Sequence, residues 1–388
     1  MYKILTLNNI SVRGLECLPR DQYEIASEIQ HPDAVLVRSF KMHEWQIPQS
    51  LQAVGRAGAG VNNIPVDKMS DKGIPVFNAP GANANAVKEL VLAGMLIAAR
   101  NLGAAWDFAR NLSGTDEEIN KAVESGKKNF VGFELPNKTL GVIGLGAIGV
   151  KVANAAVALG MDVIGYDPQI TVKNAWQMSS EVKQALSLDD LFSRVDFVSF
   201  HVPLIAATRN MLNAERLKMM RKNAVILNFA RDGIVDDAAI VEALDQKLIH
   251  GYVCDFPSNL LKNHPKVITL PHLGASTVEA EDNCAIMVAE QVREYLENGT
   301  IRNSVNFPEA QMPRVNGRPR LAISNANVPN MLGQISTAIA KANLNIVDML
   351  NQSRGNLAYT LVDVEQPVPQ SVLDELSQIE GVLRLRLL

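Results

Sequence analysis

The sequence of 388 residues is poor in cysteine, with Cys17, Cys254 and Cys284 as its three examples. An odd number without metal-like spacing argues against a disulfide framework and predicts three reduced thiols in a cytoplasmic protein. Excess positive charge is also missing: 37 Lys and Arg stand against 41 Asp and Glu, a formal net charge of −4. No nucleic-acid partner and no membrane partner is therefore expected, and a small anionic ligand would have to rely on local arginines. The six histidines are scattered and no carboxylate–histidine helix motif occurs, so no metal site is expected. The opening MYKILTLNN is too short for a signal peptide or a membrane span and reads as a first strand. One further absence is local. Residues 259–270, NLLKNHPKVITL, contain no carboxylate, although His272 follows immediately after Pro271.

What is present is enough apolar residue, 47%, for two or three ordinary cores. Residues 1 to about 85 alternate short apolar runs (KILTL, AVLV, LQAVGRAG, PVFNAP) with polar segments, the pattern of buried parallel strands. NAVKELVLAGMLIAARNL then predicts a long helix, apolar on most faces. From about 139 to 272, TLGVIG, MDVIGY, VDFVSF, AVILNF, GYVCD and KVITL are strand candidates, most of them separated by helical stretches. This is the βαβ rhythm of a doubly wound parallel sheet. STVEAEDNCAIMVAEQVREYLENGT predicts one long helix ending at Asn298-Gly299, FPEAQMPRVNGRPR reads as a linker, and residues 320–388 give the βαββαβ order of a ferredoxin-like unit.

TLGVIGLGAIGVKVANAAVALGMDVIGYDP carries Gly144-Leu145-Gly146-Ala147-Ile148-Gly149. GxGxxG alone is weak, but here a strand precedes it, a helix follows, and Asp167 closes the next strand 23 positions after Gly144. That is the dinucleotide fingerprint. Gly144 permits a tight turn, Gly146 lets the backbone approach a pyrophosphate, Gly149 lets the helix pack on the sheet, and the helix N-terminus offers free N–H groups to phosphate. Asp167 can accept hydrogen bonds from the ribose hydroxyls of NAD and would repel the 2′-phosphate of NADP. The expected cofactor is NAD.

In ILNFARDGIVDDAAIVEAL, Arg231 lies just past a strand end, where an open α/β sheet binds ligands. Its planar fork matches a carboxylate, though an arginine capping or pairing at a strand end fits the residue alone equally. His272, in VITLPHLGAST, also follows a strand, and by itself fits a packed core histidine as well as a proton carrier.

GVIGLGAIG, NFARDGIVDD and LPHLGAST, in this order and spacing, resemble the D-isomer-specific 2-hydroxyacid dehydrogenases. VGRAGAGVNNIPVD and VFNAPGANANAVKEL are similar to the branch of that family acting on 3-phosphoglycerate, and the tail resembles an ACT regulatory domain. The resemblance implies an α/β chain of two doubly wound parallel-sheet domains, a flavodoxin-like substrate domain (1–88 and 280–306) and a Rossmann NAD domain (89–279), with a linker (307–319) and a C-terminal ferredoxin-like ACT domain (320–388). It implies reaction in the cleft between the first two domains. By the same resemblance Arg231 grips the substrate carboxylate and polarises its C2 oxygen, while His272 exchanges the hydroxyl proton. Backbone N–H groups around Gly58, Ala59 and Gly60 also hold the carboxylate; Arg38 is the candidate for the phosphate, with Ser39 and Asn83 as further substrate contacts. Asp255 matches the aspartate that bonds the nicotinamide carboxamide, and Val202, Pro203, Phe229, Ala230, Gly274 and Ala275 line the cofactor.

The family places a glutamate near position 259 or 260 as the partner of the histidine. Here CDFPSNLLKNHP offers Asn259 or Leu260. The expectation is that Asn259 holds the His272 ring as an amide; Asp236 or Asp237 reaching the site is a second reading, and a chain that senses NAD(H) without turnover is a third. Another 2-hydroxyacid substrate is an alternative to 3-phosphoglycerate. In the tail, Asn327 and Asn345 match positions that hold an L-serine effector, and Asn325, a further candidate contact, stands where some members have histidine. The family also implies a homo-oligomer, dimer or tetramer, formed through the nucleotide domains with the ACT domains pairing.

Overall fold

The computed structural model describes residues 1–315 and 317–388. The expected linker, 307–319, includes residue 316, which lies outside the described residues. The chain divides into two compact units, residues 1–83 with 278–388 and residues 84–277.

In the first unit five parallel strands lie in the order Tyr23–Ala26, Tyr2–Leu7, Ala34–Val37, Ala53–Arg56, Val76–Phe77. Ala34–Val37 is buried along its whole length, which is why it reads as a continuous apolar run. Tyr23–Ala26 is an edge strand with a mixed burial pattern and has no such run to announce it. The long helix Val278–Asn298 buries Ala280, Cys284, Ala285, Val288, Val292, Tyr295 and Leu296, a stripe at helical spacing, and Gly299 stops it with φ 71°. The tail forms a four-stranded antiparallel sheet ordered Ile346–Arg354, Leu357–Val364, Arg320–Ala326, Val382–Leu387. It does not float free of the rest of its unit. Tyr359, Leu361 and Ala322 share one apolar cluster with Ile4, Phe77 and Tyr295, and Phe307 and Met312 of the expected linker are buried in it as well. Arg320 is fully buried and uses all its donors: Asp363 takes two, and the carbonyls of Asn298, Met312 and Pro313 take the rest.

The second unit holds seven parallel strands, in the order Val267–Thr269, Ile249–Cys254, Ala224–Asn228, Phe197–Phe200, Thr139–Ile143, Asp162–Tyr166, Lys183–Gln184. Side chains alternate between the two faces: Ile226 and Phe200 join one apolar cluster, Val225, Leu227 and Phe197 the other. The strand order reverses between Thr139–Ile143 and Phe197–Phe200, which makes their C-terminal ends the topological switch point. The expected helix after residue 85 runs Ala84–Ala99 and ends before Asn101, which is left-handed at φ 50°. No single helix among the described residues is long and apolar enough to cross a membrane.

Candidate active site

Gly144 leaves the central strand at φ 89°, and a Cβ there would stand 2.6 Å from the carbonyl oxygen of His201, the residue that leaves the neighbouring strand at the switch point. A Cβ on Gly149 would fall 1.9 Å from the Gly144 carbonyl oxygen, so the helix Ala147–Ala158 sits on the turn closer than any other residue allows. A Cβ on Gly146 would meet nothing within 4 Å. The space over Gly146 is open, and the helix starting at Ala147 has no side-chain cap, so its first N–H groups face that space unclaimed by the chain. Asp167 bonds the loop itself, accepting the Leu145 N–H at 2.8 Å on one oxygen and the Gln169 N–H at 2.8 Å on the other, with lone pairs left on both. This cradle fits a dinucleotide: an open backbone surface for pyrophosphate, and a fixed acid at the end of the next strand. Val202 packs over Gly144, and the Pro203 carbonyl is taken by the Thr208 hydroxyl at 2.6 Å. Phe229 is buried against Gly94, so its ring belongs to the core.

Arg231 is exposed beyond the strand Ala224–Asn228. Its loop is tied down by Asn228, which is 1% exposed and donates to the Arg231 carbonyl at 3.0 Å while accepting the Ala230 N–H at 3.2 Å. One guanidinium nitrogen donates to the Ala230 carbonyl at 2.7 Å. His272 is exposed too, which excludes the core-histidine reading. It is left-handed, at φ 57°, a conformation costly for a residue with a Cβ. Asp255 holds it there. The Asp255 carbonyl accepts the His272 N–H, and its buried carboxylate accepts the N–H groups of Leu273 at 2.8 Å and Gly274 at 2.9 Å. Ala275 is exposed just beyond. The imidazole stands edge-on to Phe256, ring centroids 5.2 Å apart.

The expected amide partner is not there. Asn259 is exposed and makes no side-chain hydrogen bond among the described residues, and none reaches the His272 ring. The loop is pinned one residue earlier: the Ser258 hydroxyl donates to Asp237 at 3.0 Å, at the start of the helix Asp237–Asp245. Asp236 caps that helix through the Ala238 and Ala239 N–H groups. Both acids are thus engaged locally, and neither bonds His272. Burial lifts the Asp237 carboxyl above its ordinary range; the Ser258 hydrogen bond opposes this, and Asp232 and Asp236 add to it. Burial pushes His201 down to about 3; its Nε2 pairs with the Ser199 hydroxyl at 2.9 Å, while its Nδ1 is closed to water and has no partner. Among the described residues no group of three His, Cys, Asp or Glu could hold a metal ion.

In the first unit, Arg38 follows the strand Ala34–Val37 at its C-terminal tip. Its guanidinium pairs with Glu281 at 2.5 Å, and its carbonyl accepts from Arg56 Nε at 3.1 Å and from Asn63. Asn8 accepts both the N–H and the hydroxyl of Ser39. The Gly58 N–H is spent on the Arg56 carbonyl at 2.8 Å, so of the three backbone groups expected to meet a carboxylate, those of Ala59 and Gly60 remain. Gly58 must be glycine: φ is 149°, and a Cβ would lie 1.6 Å from the Arg56 guanidinium. Asn83 is half-buried at the end of the segment. In the tail, Asn325 and Asn327 line one cavity of about 200 Å³ together with Asn330 and Asn351, two residues the sequence did not single out. Asn345 is not part of it. Asn325 is buried, with its amide donating to the Ala326 carbonyl and its oxygen accepting from Thr360.

Comparison with known proteins agrees with this chemistry. Residues 102–274 match the family model described as D-isomer specific 2-hydroxyacid dehydrogenase, NAD binding domain. A D-3-phosphoglycerate dehydrogenase of Haemophilus influenzae is 34% identical over 349 residues, 87% of this chain and 81% of that one. The enzyme of that name from Methanocaldococcus jannaschii is 36% identical over 88% of this chain, which spans only 63% of it. Among solved structures, the NAD⁺-bound 3-phosphoglycerate dehydrogenase of Entamoeba histolytica aligns with a TM-score of 0.61 and 26% identity, over 79% of this chain and 98% of that one. A match of this identity across most of both chains, joined to a glycine cradle, an exposed arginine and an exposed histidine on one parallel sheet, places this chain in the D-isomer-specific 2-hydroxyacid dehydrogenase family.

Proposed function

We propose that the protein is an NAD-dependent dehydrogenase that oxidises 3-phospho-D-glycerate to 3-phosphooxypyruvate, the first step of L-serine biosynthesis in the cytoplasm. The observation that carries the substrate choice is Arg38, a half-exposed guanidinium at a ligand-binding sheet edge, in a chain whose relatives bear that enzyme's name. Gly144, Gly146, Ala147, Ile148, Gly149 and Asp167 would hold the dinucleotide, which when bound supplies a hydride acceptor. Arg231 forks onto the substrate carboxylate and draws electron density from the C2 oxygen. His272 takes the C2 hydroxyl proton as the C2 hydride departs, and returns it in the reverse direction. Neither a carboxylate nor an amide bonds the ring, and Asp255 fixes its position through the backbone.

The same lack favours a second reading, a chain that binds NAD(H) without turnover. One assay separates the two. NADH formation measured spectrophotometrically with 3-phosphoglycerate supports the enzyme, and its absence together with measurable NADH binding supports the sensor. Activity on phosphoglycerate that survives Arg38→Ala would move the substrate assignment to an unphosphorylated 2-hydroxy acid.

We assign the tail to an ACT-like regulatory role with L-serine as effector, held by Asn325 and Asn327; Asn345, outside their cavity, would be contributed across a paired tail. Serine titration that gives neither inhibition nor a thermal shift would remove this assignment. We also assign a homo-oligomer, dimer or tetramer. Its support is the excursion Leu102–Arg110, Asp116–Gly126 and Lys127–Phe130, where Gly126 is the one buried residue and Leu102, Trp106, Val123 and nearby Val131 are exposed. Sedimentation showing a monomer would refute it.

A further inference from the structure

We infer that Glu281 is a positioning residue, which orients Arg38 and at the same time limits how tightly that arginine grips an anion. The inference rests on the proposed role of Arg38 as the phosphate contact. Arg38 is fixed at two levels: its backbone carbonyl by Arg56 and Asn63, its guanidinium by the Glu281 carboxylate 2.5 Å away. Glu281 takes one of the five N–H donors, and the guanidinium has no other hydrogen-bond partner among the described residues. The pair is 40% and 42% exposed, so the remaining donors stay open to a ligand.

Glu281 could merely be an acid in the first turn of a helix, complementing its dipole. Glu279 in the same turn serves that end without touching a cation. Glu281 differs in closing a cluster of two guanidinium groups and one carboxylate. The buried Cys284 thiol, nearly one helical turn on, registers all three: burial raises its pKa, Arg56 and Arg38 lower it, and Glu281 raises it again.

An anion seated on the open edge of Arg38 would lie roughly 6 Å from the Glu281 carboxylate. At the effective dielectric of a half-exposed site that repulsion weakens binding about threefold to tenfold. An anion that binds by Arg38 alone, such as inorganic phosphate, is thereby held weakly, while a hydroxy acid anchored at a second point tolerates the penalty. The carboxylate thus lowers the affinity for both ligands alike, and the second anchor is what keeps the hydroxy acid bound.

Glu281→Gln keeps an acceptor oxygen for Arg38 and removes the charge. It should lower both the KM for 3-phosphoglycerate and the Ki of inorganic phosphate by about fivefold, with kcat changed by less than about twofold and the difference shrinking at high salt. In Arg38→Ala inorganic phosphate loses its seat, so the same substitution should change its Ki by less than about twofold. Constants unchanged or raised by Gln in the wild-type background, or a fall in the phosphate Ki that persists without Arg38, would overturn the inference. If the purified protein does not oxidise phosphoglycerate, the functional reading falls separately. Calorimetric titration of phosphate into wild type and Glu281→Gln then decides the role of Glu281 by itself.

Discussion

Asp255→Asn tests what positions His272. The left-handed backbone of His272 costs about 1–2 kcal/mol for a residue with a Cβ. Against this stand two hydrogen bonds to a buried carboxylate, from Leu273 at 2.8 Å and Gly274 at 2.9 Å. Bonds to a charged acceptor contribute about 1.5–3 kcal/mol each, so the pair, about 3–6 kcal/mol together, exceeds the strain by at least about 1 kcal/mol. Asparagine offers one acceptor oxygen, and its amide N–H would confront the second backbone N–H. At most one bond survives, uncharged and worth about 1 kcal/mol, which no longer exceeds the strain. The loop should relax and carry the imidazole off its mark, and kcat should fall by about 100-fold or more. Hydrogen exchange at the Leu273 and Gly274 amides should accelerate, while the dissociation constant for NADH, read by fluorescence titration, should move less than about threefold. Unchanged kcat and unchanged exchange would refute the reasoning. A loss confined to NADH affinity would instead favour the nicotinamide contact that the family resemblance implies for Asp255.

The glycine cradle gives a paired expectation. Gly146→Ala should fold with an unchanged Tm yet bind NADH at least about tenfold more weakly, because its Cβ meets only the open space assigned to pyrophosphate. Gly149→Ala should lower Tm and soluble yield, because its Cβ lies 1.9 Å from the Gly144 carbonyl oxygen. Arg320→Ala leaves Asp363 buried without a partner and should cost about 3–5 kcal/mol, read in urea as early loss of amide protection in the tail; the double variant with Asp363→Ala should cost less than the two singles added. The Asp237 carboxyl is raised in the folded protein, so the stability it contributes is complete below its unfolded pKa of about 3.9 and is lost as pH rises through the folded value. Asp237→Asn should therefore gain Tm over wild type at pH 7 and lose that advantage near pH 4; an equal effect at both would refute the assignment.

Several features were decided by local sequence. Gly144, Gly146 and Gly149 lie where their spacing put them, because a tight turn, an open approach and a close helix contact each depend on the absence of one Cβ, a property of single positions. The strands Thr139–Ile143 and Ala224–Asn228 followed from unbroken apolar runs, since both faces of that sheet are covered. Asn228 could have been noticed as the one polar residue ending such a run. Other features depended on which chain segments meet in space. Asp255 is 17 residues from His272, Glu281 is 243 from Arg38, and nothing in the intervening sequence signals either partnership. The absence of a carboxylate before His272 was legible; that Asn259 would turn to solvent while Ser258 took the anchoring contact was not, because a one-residue shift along an irregular loop changes no pattern of composition or periodicity. Likewise a proline-rich stretch that reads as a tether buries Phe307 and Met312, since only the folded unit supplies the apolar surface that makes their burial favourable.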